Sequence, residues 1–325
     1  MRKIFALIFA FALLWTRGTG QAGTHPVATE DSIASISAGN DTLARALLWK
    51  IEGDSISTSY LFGTIHIIPG DEFFLPDGTE EAFEQANRIV FEIDMNEMMD
   101  IGAQIALLSK AMMTGGQRLR DLISEDDYAL VKAHFDELGL PLVLLERIKP
   151  MFLSVFASGD MSMDDLTSGS TKSYEMEFFE LAKAQDKEVG GLETMAFQIS
   201  VFDSIPYDVQ ADMLVESIRE EDDESTQFQE MIDMYKSQNI EALYRMLTSG
   251  EDDLGGYEDI LVNDRNKNWI GIMSPLMKME SVFFAVGAGH LGGYDGVIKL
   301  LRREGYEVTP VLAGTDTFVR PKKRF

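Results

Sequence analysis

The stretch "SVFFAVGAGHLGG", residues 281–293, joins an apolar run to a glycine cluster built around a histidine. A short apolar run bounded by turn residues predicts a buried strand over 281–286. A helical pattern follows over 295–304 and a last strand in "GYEVTPVLA". The strand thus ends in a turn where glycine removes side-chain bulk, so the imidazole of His290 can project over a sheet edge. The same pattern stands near the other end of the chain in "YLFGTIHIIPG", residues 60–70. Gly63 precedes His66 by the same spacing with which Gly287 precedes His290. Two G-x-x-H turns from opposite ends of the chain predict one site assembled from both.

Leading into the first turn, "LLWKIEGDSISTSYLFGTIH" predicts two short strands around Gly53-Asp54. "GTEEAFEQANRIVFEIDM" predicts an acidic-started helix feeding a strand over 88–94. Residues 97–159 carry a helical pattern. Ser124 is placed there as an N-cap, and Leu130, Val131, His134, Phe135 and Leu138 keep helical spacing after it. His134 on that face reads as a packed or partly exposed helix residue. A helix over 173–184 leads into the strand of "KEVGGLET", residues 207–247 are helical and acidic, and "YEDILVNDRNKNWIGIMSPLMK" predicts a long helix. Strands and helices alternate at both ends of a helix-rich middle. This predicts an α/β (α+β) fold: a central mixed sheet surrounded by helices, with helical insertions.

Composition narrows the function. Lys and Arg total 28 against 54 Asp and Glu, a formal charge of −26 that opposes binding to phosphate backbones and excludes nucleic acid as the expected partner. The acidic runs 220–224 and 251–253 read as solvated loops or helix ends. With no cysteine, disulfides, thiolate nucleophiles and thiolate metal ligands are all ruled out. The eighteen methionines fall mainly in helical segments and read as adaptable packing. Residues 1–22 read as a secretory signal, with Arg2 and Lys3 ahead of an apolar run shorter than the about 20 residues a spanning helix needs. Cleavage before Gly23 leaves a disordered segment over 23–41 and a single domain over 42–325, exported to the periplasm or beyond, with no stable membrane insertion. A chain starting Gly23-Thr24-His25 would also suit square-planar copper(II) or nickel(II).

The chemistry-bearing residues gather at expected strand ends. Two imidazoles, His66 and His290, suit a divalent metal if a carboxylate joins them. Glu92, in "IVFEIDM", shares a strand face with Asp94, and Glu193 follows the Gly-Gly of "VGGLET". Two histidines and one carboxylate leave metal positions open for water, and the second carboxylate is then available as general base. Arg265 and Asn266, in "VNDRNKNW", lie on the helix leading to the His290 strand. From there an arginine can pin a carboxylate or polarise a carbonyl, unless the pair is merely exposed.

These residues resemble a known family. "LFGTIH", "VFEID", "VGGLETMAFQ", "DRNKNWI" and "FFAVGAGHLGGYDGVIKLLRREGYEV" occur in the order of the TraB/GumN family, over about 47–310. Tiki metalloproteases and the pheromone-shutdown protein PrgY are grouped with it. The resemblance implies a ChaN- and erythromycin-esterase-like fold and a metal-dependent peptidase acting on a peptide or protein substrate. It further implies a metal held by His66, His290 and Glu92, with Mn²⁺ or Co²⁺ favoured over Zn²⁺, and Glu193, Arg265 and Asn266 as catalytic residues. In the family, the helix before "GLET" opens with glycine and an acidic residue. Here it reads "TKSYEMEFFE", with Glu175 and Glu177 as the acidic substitutes. Two other functions fit the same residues: a protein that sequesters a peptide without cutting it, and a metal-independent His/Glu hydrolase of the esterase kind. The oligomeric state is not legible.

Overall fold

Strand β7, Val282–Gly287, is buried through Val286 and lies within a six-stranded mixed sheet. The structure is a computed structural model and describes residues 43–157, 170–219, 221–248 and 257–312. The expected leader over 1–22, the segment 23–41 with His25, and the acidic run 251–253 lie outside the described residues. The strand order is β6-β4-β7-β2-β1-β8, where β1 is Leu48–Glu52, β2 Ser59–Thr64, β4 Arg88–Ile93, β6 Glu188–Glu193 and β8 Glu307–Pro310. The pairs β6/β4, β4/β7 and β7/β2 are parallel, while β2/β1 and β1/β8 are antiparallel. Parallel strands are sheltered on both faces, which explains why β2 and β7 read as near-continuous apolar runs without alternation.

The helices Thr79–Gln85 and Tyr174–Ala184 pack on the sheet through aromatic residues. Phe178 meets Phe62 edge-on at 5.1 Å, and Phe83 meets Phe283 edge-on at 5.3 Å. The helices Asp264–Met279 and Val297–Arg303 bury Trp269, Met273, Met277, Ile298 and Leu301 in the same core. A second, separate apolar cluster joins Val131 and Phe135 of the helix Glu125–Glu137 to Leu153 and to Leu214 and Ile218 of the helix Tyr207–Arg219. This is the helix-rich middle.

Two boundaries depart from the sequence reading. The helical pattern over 97–159 is broken into Met95–Met99, Ile101–Lys110, Glu125–Glu137, Leu142–Leu145 and Pro150–Ala157. Gly115 and Gly116 sit between them at φ 68° and 75°, a conformation no helix accepts. The helix expected from 257 begins instead as a π-helical turn, Asp259–Asn263, before Asp264–Met279. A two-residue ribbon, β3 Ile68–Pro69 with β5 Thr171–Lys172, was not anticipated. It ties the loop after His66 to the start of the helix Tyr174–Ala184.

Candidate functional site

Because β6, β4, β7 and β2 run in one direction, their carboxyl ends open on the same sheet edge, where α/β proteins bind ligands. β2 ends at Thr64, just before His66. Glu92 lies in β4, Glu193 closes β6, and His290 sits in the 3-10 turn Ala288–His290 directly after β7. The glycines of the last turn have a packing role as well. A Cβ on Gly292 would come within 2.6 Å of the Ile240 carbonyl oxygen, so the helix Ile240–Thr248 can lie on the turn only if that residue has no side chain.

Arg265 is the hub. Its Nε donates to both oxygens of Glu193, at 3.0 and 3.1 Å, and its Nη2 donates to Glu193 Oε2 at 2.9 Å and to Glu92 Oε2 at 2.7 Å. Nη1 donates to the Leu261 carbonyl, in the π-helical turn, at 3.2 Å and faces His290 Nε2 at 3.5 Å. The guanidinium also lies over Trp269, 5.2 Å from the ring centroid, and the indole Nε1 donates to Glu193 Oε1 at 2.8 Å. Asn266 is fully buried. Its Nδ2 donates to the carbonyls of His290 and Asp295, which leaves Oδ1 to accept from His290 Nδ1 at 2.7 Å. That bond fixes the tautomer: the proton is on Nδ1 and the lone pair on Nε2.

Glu175 does the same for His66. Its Oε1 lies 3.0 Å from His66 Nδ1 and accepts from Thr64 Oγ1 at 2.7 Å, while Oε2 accepts from Ser173 Oγ at 3.0 Å. Of the two acidic substitutes, Glu175 therefore enters the site. Glu177 stays at the surface, 3.3 Å from Lys172. Asp94, expected on the same face as Glu92, instead caps the helix Met95–Met99 by accepting from Asn96 N–H at 2.8 Å. His134 is buried and bonds the Ala157 carbonyl, far from this edge in sequence and in fold.

The charges are mutually dependent. Burial opposes the ionisation of Glu92, but Arg265, both imidazoles and the Gly287 N–H at 2.8 Å outweigh it and hold the carboxyl at about 2. Burial, aided by Arg265 and opposed by Glu92, lowers the His290 imidazole to about 3, so it is neutral. For His66, burial pushes down but Glu175 pushes up further, and the net shift is upward.

Two neutral-capable imidazoles with their Nδ1 atoms anchored, beside an ionised carboxylate, are a donor set of the kind a divalent cation accepts. Among the described residues, no three His, Asp or Glu side chains are gathered closely enough to hold a metal ion. Glu92 Oε1 stands 4.0 Å from His290 Nε2, and the Arg265 guanidinium reaches both residues. The donors match in kind, and Arg265 lies among them.

All six residues expected from sequence come to this edge: Glu92, Glu193, Arg265, Asn266 and His290 share one hydrogen-bond network, while His66 bonds to Glu175 and feels the charges of Glu92 and Arg265. The sequence reading did not assign Gln198, whose Nε2 donates to Glu92 Oε2 at 3.2 Å, nor Trp269, nor Thr64. A glutamine in the otherwise apolar "MAFQISVF" was the available signal for the first.

The fold and site define a mixed α/β protein with a buried His/Glu/Arg constellation at the carboxyl edge of its parallel strands. The TraB/PrgY/gumN family matches residues 47–310, and the chain belongs to that family. It is similar to the human Metalloprotease TIKI1, at 24% identity over 83% of this chain and 62% of the relative. Metalloprotease TIKI2 of Xenopus tropicalis is 24% identical over 99% of this chain and 69% of its own length. Metalloprotease TIKI1 of Danio rerio is 23% identical over 83% and 64%. The chain thus spans a little under two thirds of the length of both TIKI1 relatives. No solved structure gives a significant match. Among the described residues no helix is long and apolar enough to cross a membrane.

Proposed function

We propose that this protein is an exported, metal-dependent hydrolase, a peptidase acting on peptide or protein substrates at the carboxyl edge of the sheet. One observation carries the reading: His66 and His290 arrive from opposite ends of the chain, and each is anchored through Nδ1, to Glu175 and Asn266 respectively. His66, His290 and Glu92 would hold the cation, with Mn²⁺ or Co²⁺ preferred. When bound, such an ion supplies Lewis acidity toward a scissile carbonyl and toward water.

The chain's own residues do the rest. Asn266 and Glu175 hold the imidazoles in the tautomer that presents Nε2. Glu193, with both oxygens engaged by Arg265 and Trp269, is assigned to anchoring the guanidinium rather than to the base role expected from sequence. Arg265 supplies the donor that orients a substrate oxygen. The names of the relatives support the metal and the peptide bond as substrate. The segment 1–22 supports export.

The test is metal content of the purified, untagged protein after loading with Mn²⁺, Co²⁺ or Zn²⁺ and desalting, beside a His66→Ala/His290→Ala double variant, with peptide cleavage followed in parallel. About one ion per chain, lost in the variant, and cleavage abolished by chelator are expected. Full activity of His290→Ala would sink the assignment.

A second reading has its own support. Glu175 against His66 forms a carboxylate–imidazole pair able to take a proton from water without a metal. Hydrolysis of esters that survives chelation would select it.

A further inference from the structure

The two histidine turns lie directly against each other. A Cβ on Gly63 would come within 3.0 Å of Ala288 Cβ and 3.1 Å of Leu291 Cδ2, so the first turn rests on the 3-10 turn that carries His290. One stretch of chain, residues 235–247, grips both. It runs from the end of the helix Glu221–Lys236 into the helix Ile240–Thr248. On the His290 side, Leu247 fills the space that a Cβ on Gly289 would need, and Glu241 Oε2 accepts from the Gly293 N–H at 3.3 Å.

On the His66 side the grip replaces part of the sheet. The Gly63 N–H donates to the Leu47 carbonyl at 2.8 Å, one step beyond the Leu48–Phe62 pair of β1 and β2. An antiparallel pair of this kind returns a bond from the Leu47 N–H to the Gly63 carbonyl. Instead, the Leu47 N–H donates to Gln238 Oε1 at 3.1 Å, and the buried Tyr235 hydroxyl donates to the Gly63 carbonyl at 2.9 Å. Gln238 holds this position at φ 55°, a left-handed conformation that side-chain-bearing residues seldom adopt. The Tyr235 ring also meets Tyr174 edge-on at 5.4 Å, and Tyr174 directly precedes Glu175, the partner of His66.

We propose that residues 235–247 are a clamp that sets the spacing of the two imidazoles, with Tyr235 as a positioning residue for hydrolysis at this edge. The role rests on the hydrolase reading above and needs no ion. The hydroxyl holds Gly63 against Ala288, so His66, three residues further on, stands at a fixed distance from His290. Phenylalanine would keep the ring packing but leave a buried carbonyl without its donor, and the first turn would relax toward Leu47.

The test compares Tyr235→Phe with Tyr60→Phe. The Tyr60 hydroxyl donates to Gln85 Oε1 at 2.7 Å near the opposite end of β2, so its loss is similar in kind but remote from both turns. The chain has four histidines, and their imidazole signals are read by proton–carbon NMR of the untagged protein, assigned with single His→Ala variants, beside peptide kinetics. Tyr235→Phe is expected to shift the signals of His66 and His290 but not His134, and to lower kcat about tenfold with KM within about twofold. Tyr60→Phe should do neither. Unmoved His66 and His290 signals in folded Tyr235→Phe would overturn the clamp, and shifted signals with unchanged kcat would overturn the positioning role. Wild type that hydrolyses no peptide would overturn the hydrolase reading alone, because the spectra still decide the clamp. If Tyr235→Phe does not fold, Gln238→Gly takes its place. Glycine suits φ 55° and removes the acceptor for Leu47, so the same two signals should move, and their constancy would overturn the clamp.

Discussion

The sheet edge and the helical cluster both bury polar groups, but they satisfy them differently. In the helical cluster the neutral polar groups take backbone partners, while the buried charges are met by half-exposed side chains at its rim, Glu146 by Arg118 and Arg120 and Lys149 by Asp203. Gln210 donates to the carbonyls of Phe202 and Ile205 at 2.9 Å each and accepts from Met151 N–H at 3.2 Å, and His134 bonds the Ala157 carbonyl. Such bonds tie one helix to the next and are set once the chain folds. At the sheet edge, Glu92, Glu193, Arg265, Asn266 and His290 bond chiefly to each other, and they carry charge. A side-chain network of that kind is satisfied in the folded protein and yet can exchange a partner for a ligand, because no helix has to unravel when one bond changes. Burial alone therefore does not mark a functional site; the identity of the partners does.

The largest effect expected is catalytic. His66→Ala or His290→Ala should lower kcat/KM for peptide hydrolysis by about a thousandfold, a barrier increase of about 4 kcal/mol, with a much smaller shift in unfolding midpoint. Steady-state kinetics and urea titration on the same samples check both halves.

Phe135→Ala probes the other region. Its ring is fully buried in the helical cluster, so truncation should cost about 3–5 kcal/mol of stability while kcat/KM of the folded fraction stays within about twofold. A larger catalytic loss in folded protein would break the contrast and make the helical cluster part of the site.

Acid should weaken the edge first. His290 is depressed from 6.5 to about 3, so its contribution is fully present above pH 6.5 and is lost as pH falls toward 3, an effect of about 4–5 kcal/mol at most. Glu92, depressed to about 2, adds a loss only below about pH 4.5. His66, whose value is raised, has the opposite sign: its contribution is present below 6.5 and disappears as pH rises through its folded value. Urea midpoints measured from pH 7.5 down to 5 should therefore fall less steeply in His290→Gln than in wild type. An identical slope would show that His290 is not held neutral.

The smallest effects come from a matched pair of helix caps. Ser124 accepts from Asp127 N–H at 3.1 Å and caps a helix of the helical cluster. Ser173 accepts from Met176 N–H at 3.4 Å and also donates to Glu175. Each Ser→Ala should cost about 1 kcal/mol in stability. Only Ser173→Ala should also change activity, by a few fold, because it loosens the carboxylate behind His66. Equal kinetics in the two variants would remove Glu175 from the positioning role.

Much of the architecture was legible because apolar runs and glycine turns are local signals. The apolar runs leading to His66 and over 281–286 predicted two strands, the G-x-x-H spacing placed both histidines at strand ends, and only the structure showed that the two strands pair in parallel. The breaks in the helical middle were harder to place, since positive φ at Gly115 and Gly116 is a choice the sequence only permits. Glu175 and Glu177 stand two residues apart, about 200° around the same helix, and only the docking of that helix, whose start the β3/β5 ribbon ties to the loop after His66, turns Glu175 rather than Glu177 to the imidazole.

What the sequence by itself determined is which residues stand at the carboxyl ends of strands: His66, Glu92, Glu193 and His290 each lie at or within a few residues of one. What only the tertiary structure decided is how they share charge. Strand order β6-β4-β7-β2 puts both glutamates within reach of one arginine from a distant helix, and a guanidinium goes where two buried carboxylates need it. Strand ends are a property of local pattern, whereas the neutralisation of a buried charge depends on every side chain that the fold brings beside it.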